Sequence, residues 1–457
     1  MKQVILRPAN IYAANVKNIF TIYFIATILL LGGCGKSSDK PLQNSGEGTL
    51  TSKDDATVAT DWYKLQLHLV LRSNPAVANL GASRMFAYSG IALFEAARFE
   101  RDVSQSLQTS LYQMPVMPAT EKNKTYSWVI AANAAMAGIT RNLFPALTTA
   151  FSASVDSLEK IYRDKFTASM GADIVTRSEA FGDSIAARII NWSGTDLYNH
   201  SNDPYTIPVF AGAWIRTPPA FAAAATPYAG NCRTFLYINA TGTTGAPPFA
   251  YAENPSSDFY KMVNNVYQAS KSLTADQKNI ALFWNDVGAG TGYTPTGHCI
   301  SIITQILDST HASLAAAGIA YAKTGIALWD ASIVCWRSKY LYNQIRPVSF
   351  VQQHIESPWL PLLTTPAHPE YPAAHAFITS SIMEVMGSMF GDNYGFTDHT
   401  YDFRNYPARS YTSFEQASNE CGQSRLYGGI HYQPSIDSGH VAGQFIGRAV
   451  AALRLSE

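Results

Sequence analysis

Five basic side chains in the last third of this chain, Lys339, Arg346, His375, Arg425 and His431, are of the types and spacing that could gather around one anion. Lys339 and Arg346 lie in the stretch WRSKYLYNQIRP, residues 336–347. At ~100° per residue, their seven-residue separation returns a helix to within roughly 20° of its starting direction. If the stretch is helical, both cations project from one face, two turns apart, Arg337 points elsewhere, and Pro347 stops the helix. Two long cations on one face with no carboxylate between them are either solvated surface or half of an oxyanion clamp.

Two further clusters favour the clamp. In HPEYPAAHAF, Pro372 stands where a helix would begin and His375 falls in its first turn, where outward N–H groups and the helix dipole favour an anion. In SRLYGGIH, residues 424–431, Gly428 and Gly429 break the helix between Arg425 and His431, so both side chains can turn toward one point. One lysine, two arginines, two histidines and a helix N-terminus fit a tetrahedral or trigonal-bipyramidal oxyanion such as phosphate.

The elements that must position these groups read as helices. Periodicity of 3.6 residues marks 61–103, 127–144, 146–169, 176–193, 257–269, 275–286, 300–317, 324–345 and 439–455, the last with small residues at Gly443, Gly447 and Ala449. Period-two alternation is nearly absent, so the pattern is all-α. Residues 199–254 differ, being rich in Pro, Gly, Thr and aromatics. Trp214, Phe221, Tyr228 and Phe235 predict an ordered cover over the helices and not a linker. Residues 287–297 form a Gly-rich loop.

Lys-x6-Arg-Pro, then Pro-x-x-His, then Ser-Arg-x5-His resembles the three-part signature of the vanadium-dependent haloperoxidases and type 2 phosphatidic acid phosphatases. The likeness is strongest over 275–445. It extends more weakly through Arg84, TPPAF (217–221) and FWND (283–286), as in the bacterial haloperoxidase branch. The resemblance implies two four-helix bundles, with the site in the second. It implies that His431 bonds vanadium and that Lys339, Arg346 and Arg425 neutralise the vanadate oxygens, with phosphate as a competing anion. His375 would be the acid–base group, and Asp286 the carboxylate near the site. Trp336 and His368 fall at two pocket positions that vary with halide, and a histidine at the second resembles bromoperoxidases more than chloroperoxidases.

The chain departs from the family pattern where Pro-Ser-Gly-His becomes Pro372-Ala373-Ala374-His375. The hydroxyl that would bond the anion is missing at Ala373, and Ala374 replaces the glycine whose N–H approaches it. One lost bond to an anion costs about 1.5–3 kcal/mol, about one to two decades in affinity. The family's Asp four residues after the ligand histidine is Ser435 here, with Asp437 two further on, which leaves the orienting partner of His431 open. Other polar residues are read conservatively. Asp398 and His399 are assigned to a solvated loop, His354 to the surface, His298 to a structural role, and Glu370 to a turn.

Two chemistries share these residues. A haloperoxidase would take hydrogen peroxide and a halide to hypohalous acid, with iodide preferred, then bromide, because iodide is the easier to oxidise at a site weakened at Ala373. An acid phosphatase would use His431 as nucleophile and His375 to protonate the leaving group. A non-catalytic oxyanion-binding surface protein is the third reading.

The chain has 457 residues, 47% hydrophobic and 14% charged, with 33 cations balancing 33 anions. That size permits a large core, and zero net charge gives no reason to expect a nucleic-acid partner. Lys2, Arg7 and Lys17 precede an apolar run over 19–31 and then Leu31-Gly32-Gly33-Cys34, which looks like a bacterial lipobox with Cys34 acylated. The run is about 13 residues, short of the roughly 20 needed to span a membrane. The organisation expected is a signal peptide over 1–33, a flexible tether over 34–56, and one helical domain over 57–457. Such a protein sits in the bacterial cell envelope, as a periplasmic or outer-membrane lipoprotein. Cys232, Cys299, Cys335 and Cys421 form no CxxC pair; an exported compartment permits disulfides, but no pairing follows from the sequence.

Overall fold

The computed structural model describes residues 54–100, 105–144, 148–287 and 292–455, all within one compact unit. The expected signal peptide, Cys34, most of the tether and part of the Gly-rich loop lie outside the described residues. Thirteen α-helices account for most of the described chain: α1 (Thr57–Arg72), α2 (Asn79–Ala97), α3 (Trp128–Leu143), α4 (Thr149–Thr167), α5 (Ala172–Ser193), α6 (Asp258–Lys271), α7 (Ala275–Phe283), α8 (Pro295–Ser309), α9 (Leu314–Tyr342), α10 (Pro347–His354), α11 (Ala374–Phe390), α12 (Phe414–Tyr427) and α13 (Gln433–Ala451). Side-chain caps start many of them. Ser127, Thr148, Ser257, Thr294, Ser313 and Ser413 each accept from an amide of the first turn, and Thr274 with Gln277 forms a capping box.

The all-α expectation holds, with helices gathered in bundles. In the first half α2 packs on α3 and α3 on α5. In the second half α11 packs on α13, α12 and α9. The 29-residue α9 is buried along nearly its whole length and also lies along α2, so it serves both groups. Periodicity misplaced some boundaries. The 61–103 pattern is two helices, because Asn74-Pro75 and its neighbours turn the chain between α1 and α2. The 300–317 pattern crosses a real break after Ser309. Two three-residue strands, β1 (Phe396–Asp398) and β2 (Arg409–Tyr411), form an antiparallel pair in the register Phe396↔Tyr411.

Residues 199–254 form the expected cover. Trp214 and Phe235 are fully buried, Tyr228 is partly buried, and only Phe221 departs, remaining exposed. The segment is tied to α9 by polar side chains. The Asp330 carboxylate accepts from the amides of Phe235 (2.6 Å) and Leu236 (3.0 Å) and from Asn239 Nδ2 (2.8 Å). Arg337 donates to the carbonyls of Gly230 (2.9 Å) and Gly242 (2.8 Å). All four described cysteines are buried free thiols.

Candidate active site

The stretch 336–347 is not one helix. α9 ends at Tyr342, Asn343 takes a left-handed conformation (φ 46°), and Arg346 has extended backbone as the N-cap of α10. Pro347 therefore opens a helix where the spacing had it closing one, as suits a residue whose missing N–H costs nothing at N1. Lys339, in the last turn of α9, and Arg346, on the connection, are brought together by the chain's reversal and not by a shared face.

Both cations are fully buried. Lys339 Nζ donates to the carbonyls of Pro369 (3.1 Å), Glu370 (2.9 Å) and Pro372. Arg346 donates through Nε to His368 O (2.9 Å) and through Nη1 to Ile430 O (2.8 Å), with Nη1 also 3.2 Å from His431 Nε2. Its Nη2 lies 2.9 Å from His368 Nδ1. Arg425, near the end of α12, donates through Nε to Ser424 Oγ (2.9 Å) and through Nη2 to Trp284 O. Among the described residues, none of the three is in an ion pair. Burial accordingly pulls Lys339 down to about 7, Arg346 down to about 10, and Arg425 below its ordinary value.

His431 follows the turn that ends α12. Gly429 has φ +76°, a region that only glycine occupies without strain. His431 Nδ1 lies 2.7 Å from Glu370 Oε1, which also accepts the Tyr432 amide at 3.0 Å. A carboxylate only accepts, so Nδ1 carries the proton and the lone pair of Nε2 faces the cations. Burial first, then Arg346 and Lys339, hold His431 well below its usual range, so it is neutral. Glu370 is thus no turn residue. It is wholly buried, its carboxyl is pushed up to about 7 by burial, and it orients His431. Ser435 faces the same carboxylate, whereas Asp437 is exposed and bonds Gln433 (2.8 Å). No spacing rule singles out Glu370, since its proximity to His431 arises from the loop before α11 folding back on the α12–α13 turn.

α11 begins at Ala374, with Ala373 as an N-cap that makes no side-chain bond and whose amide donates to Ser435 O (3.1 Å). His375 stands in the first turn, its Nε2 3.2 Å from Asp286 Oδ2. Burial and then Arg425 lower His375 to about 4, against the pull of Asp286. Asp286 Oδ1 in turn lies 2.8 Å from His298 Nδ1 and accepts from Tyr401 Oη (2.6 Å). His298 Nε2 lies 2.7 Å from Asp398 Oδ2. Asp398 is therefore fully buried and not solvated, because the alternation of β1 turns its side chain inward, while the adjacent His399 is exposed and bonds Asp402 (2.9 Å). His298 belongs to this chain of groups and is more than packing. His354 is at the surface beside Tyr251.

Trp336 and His368 sit together beside Arg346, ring centroids 5.2 Å apart. Trp336 Nε1 donates to Ala225 O of the cover (3.3 Å). His368 is neutral, held far below its usual range by burial and by Lys339 and Arg346.

Three desolvated cations whose partners are carbonyls, a hydroxyl and imidazole nitrogens leave an excess of buried positive charge, which an anion would compensate. The lone pair of His431 Nε2 points into that charge. This donor set fits an oxyanion such as vanadate or phosphate, toward which the unprotonated Nε2 of His431 could act as a ligand.

Comparison with known proteins bears on the fold and on the second half of the chain. Residues 320–456 match the family model of the VCPO second helical-bundle domain. A solved structure described as the first bacterial vanadium-dependent iodoperoxidase aligns with a TM-score of 0.79 and 28% identity, covering 88% of this chain and 97% of that one. A holo-type bacterial vanadium-dependent chloroperoxidase aligns with a TM-score of 0.61 at 15% identity, over 82% of this chain and 92% of that one, a likeness of fold. No curated protein matches the chain by sequence. The second-bundle match and the near full-length likeness to the iodoperoxidase make the chain similar to the vanadium haloperoxidases, over residues 320–456 by family model and over most of the chain by structure.

Proposed function

We propose that this protein is a vanadate-dependent haloperoxidase that uses hydrogen peroxide to oxidise iodide, and less readily bromide, to hypohalous acid. The observation that carries the reading is the buried cage of Lys339, Arg346 and Arg425, none of them ion-paired among the described residues, around His431, whose Nε2 lies 3.2 Å from Arg346 Nη1. The likeness to the bacterial iodoperoxidase supports iodide over other halides. Bound vanadate supplies Lewis acidity that activates peroxide without changing oxidation state. In the net reaction the halide gives two electrons, the peroxide O–O bond breaks, one oxygen goes to hypohalous acid, and the other leaves as water with an added proton.

Within that reaction the chain's own groups have distinct tasks. Lys339, Arg346, Arg425 and the Ala374 amide hold and neutralise the oxyanion. His431 would be the residue that ligates a bound vanadate, and Glu370, 2.7 Å from Nδ1, keeps the ring in the Nδ1–H tautomer. His375, neutral above about pH 4, takes and returns the peroxide proton, with Asp286 Oδ2 facing its Nε2 at 3.2 Å. Trp336, His368 and Ala373 border the halide. Phosphate competes for the same donors. A second reading, phosphomonoester hydrolysis with His431 as nucleophile, draws on the same neutral, carboxylate-oriented imidazole.

The test is paired. The purified protein should form triiodide from iodide and peroxide only after vanadate is added, and should release little p-nitrophenol from p-nitrophenyl phosphate. Hydrolysis without triiodide would sink the peroxidase reading. We further propose export as a lipoprotein anchored through Cys34; Cys34→Ser should abolish incorporation of labelled palmitate in a bacterial host, and undiminished labelling would rule the anchor out.

A further inference from the structure

Behind His375 lies a row of buried ionisable groups that the proposed chemistry does not use. His298, on α8, has both ring nitrogens on carboxylate oxygens, Nδ1 at 2.8 Å from Asp286 Oδ1 and Nε2 at 2.7 Å from Asp398 Oδ2. All three side chains are essentially inaccessible. Carboxylates only accept, so satisfying both contacts requires a proton on each nitrogen. Trp284 stacks on the ring with centroids 4.4 Å apart, and Phe283 and Tyr401 close its edges, so it cannot turn away. His298 and the Tyr401 hydroxyl together occupy Asp286 Oδ1, which leaves Oδ2 alone to face His375 Nε2 at 3.2 Å.

We propose that His298 is a positioning residue for His375: clamped as an imidazolium between Asp286 and Asp398, it fixes the free oxygen of Asp286 against the His375 ring and limits how strongly that carboxylate raises the ring's proton affinity. Besides Tyr401, Tyr411 of β2 faces the Asp398 end of this row and is bonded to Glu420 of α12 (2.7 Å). Arg425 of α12 lies on the His375 side, His368 beyond it, and the Cys299 and Cys421 thiols beside it, both kept protonated by burial. Burial works against a charge on His298, yet the two carboxylates outweigh it and raise the ring to about 10. Asp286 is held below the usual carboxylate range, burial being overcome by His298 and His375. His298 also acts on His375 directly, as a positive charge opposing its protonation.

The test reads ring charge by nuclear magnetic resonance on the vanadate-free chain. In the unaltered protein, the ¹⁵N shifts of His298 should be those of a charged ring at pH 8; neutral-ring shifts would overturn the clamp whatever the variants do. In the double variant H298Q/D398N, which removes one positive and one negative charge and so leaves the net charge of the row unchanged, His375 should titrate higher by on the order of one pH unit. In D286N it should titrate lower. Opposite signs separate charge placement from general loosening, which moves both variants alike; an unchanged or lower His375 titration in the double variant defeats the proposal. The acid limb of iodide oxidation should rise with the His375 titration in the double variant. Only this last readout rests on the peroxidase reading: ring titrations as expected in a chain without iodide oxidation would fail that reading and leave the clamp standing.

Discussion

Ala373 is where this chain departs most visibly from the family pattern, and its surroundings say what restoring a hydroxyl should do. The residue is fully buried at the N-cap of α11, its amide is committed to Ser435 O, and no side chain caps the helix. In Ala373→Ser the new oxygen meets either a first-turn amide or a bound anion. Vanadate titration should show affinity tighter by about one to two decades. Affinity unchanged with a rise in melting temperature would mean that the hydroxyl caps the helix, worth about 1 kcal/mol, and does not reach the anion. Glu370→Gln keeps the shape but removes the carboxylate that selects the tautomer of His431. Vanadate affinity should fall about 10–100-fold while circular dichroism stays unchanged. Affinity within a factor of two of the parent would remove Glu370 from that role.

α11 and α13 meet more closely than side chains normally allow. A Cβ on Gly443 would lie 2.1 Å from both Phe377 O and Ser380 Oγ, so Gly443→Ala must push the helices apart. Overpacking of this kind costs about 1–3 kcal/mol. Because the first turn of α11 carries His375 and the Ala374 amide, the same change should also weaken vanadate binding. Urea denaturation and vanadate titration on one variant check both effects, and a stability loss with binding intact would show that the α11 N-terminus does not follow the helix body. The small residues that permit this contact were readable as a closing helix over 439–455, although the helix starts at Gln433, where the pattern is more polar. The failure over 336–347 has a different origin. Seven-residue spacing is blind to a left-handed Asn343, and a proline that can end one helix can as well begin the next.

For the molecule as a whole, a buried cation cage makes stability depend on anions and on pH. Lys339 in the folded chain loses its proton near 7, against an ordinary value of 10.5. Between those values the unfolded chain binds more protons, so stability without anion should rise with pH across that window, and below about 7 the full cost of burying the charge is present. A tetrahedral dianion relieves that cost only while Lys339 is protonated. Sulfate at a hundredfold its dissociation constant should stabilise by about 2.7 kcal/mol near pH 6.5. The increment at the same concentration should shrink by pH 9, although the charge of sulfate itself does not change. Thermal denaturation with and without sulfate at the two pH values measures this, and equal increments would mean that Lys339 stays charged throughout.

Much of this was written in residue order alone. Helical periodicity identified an all-α chain, three spaced motifs singled out the basic residues that surround His431, and aromatic density marked 199–254 as ordered. These are local properties, carried by neighbours three to seven residues apart. Glu370 beside His431 and Asp398 beside His298 were not foreseen, because each pair spans a separation of 61 or 100 residues and is made by a loop or a hairpin folding against a helix. A carboxylate in a Pro-rich turn or near a strand end looks solvated until the fold closes over it. Burial then decides whether such a group is surface charge or sets the protonation of a histidine, and burial is a property of the packed molecule.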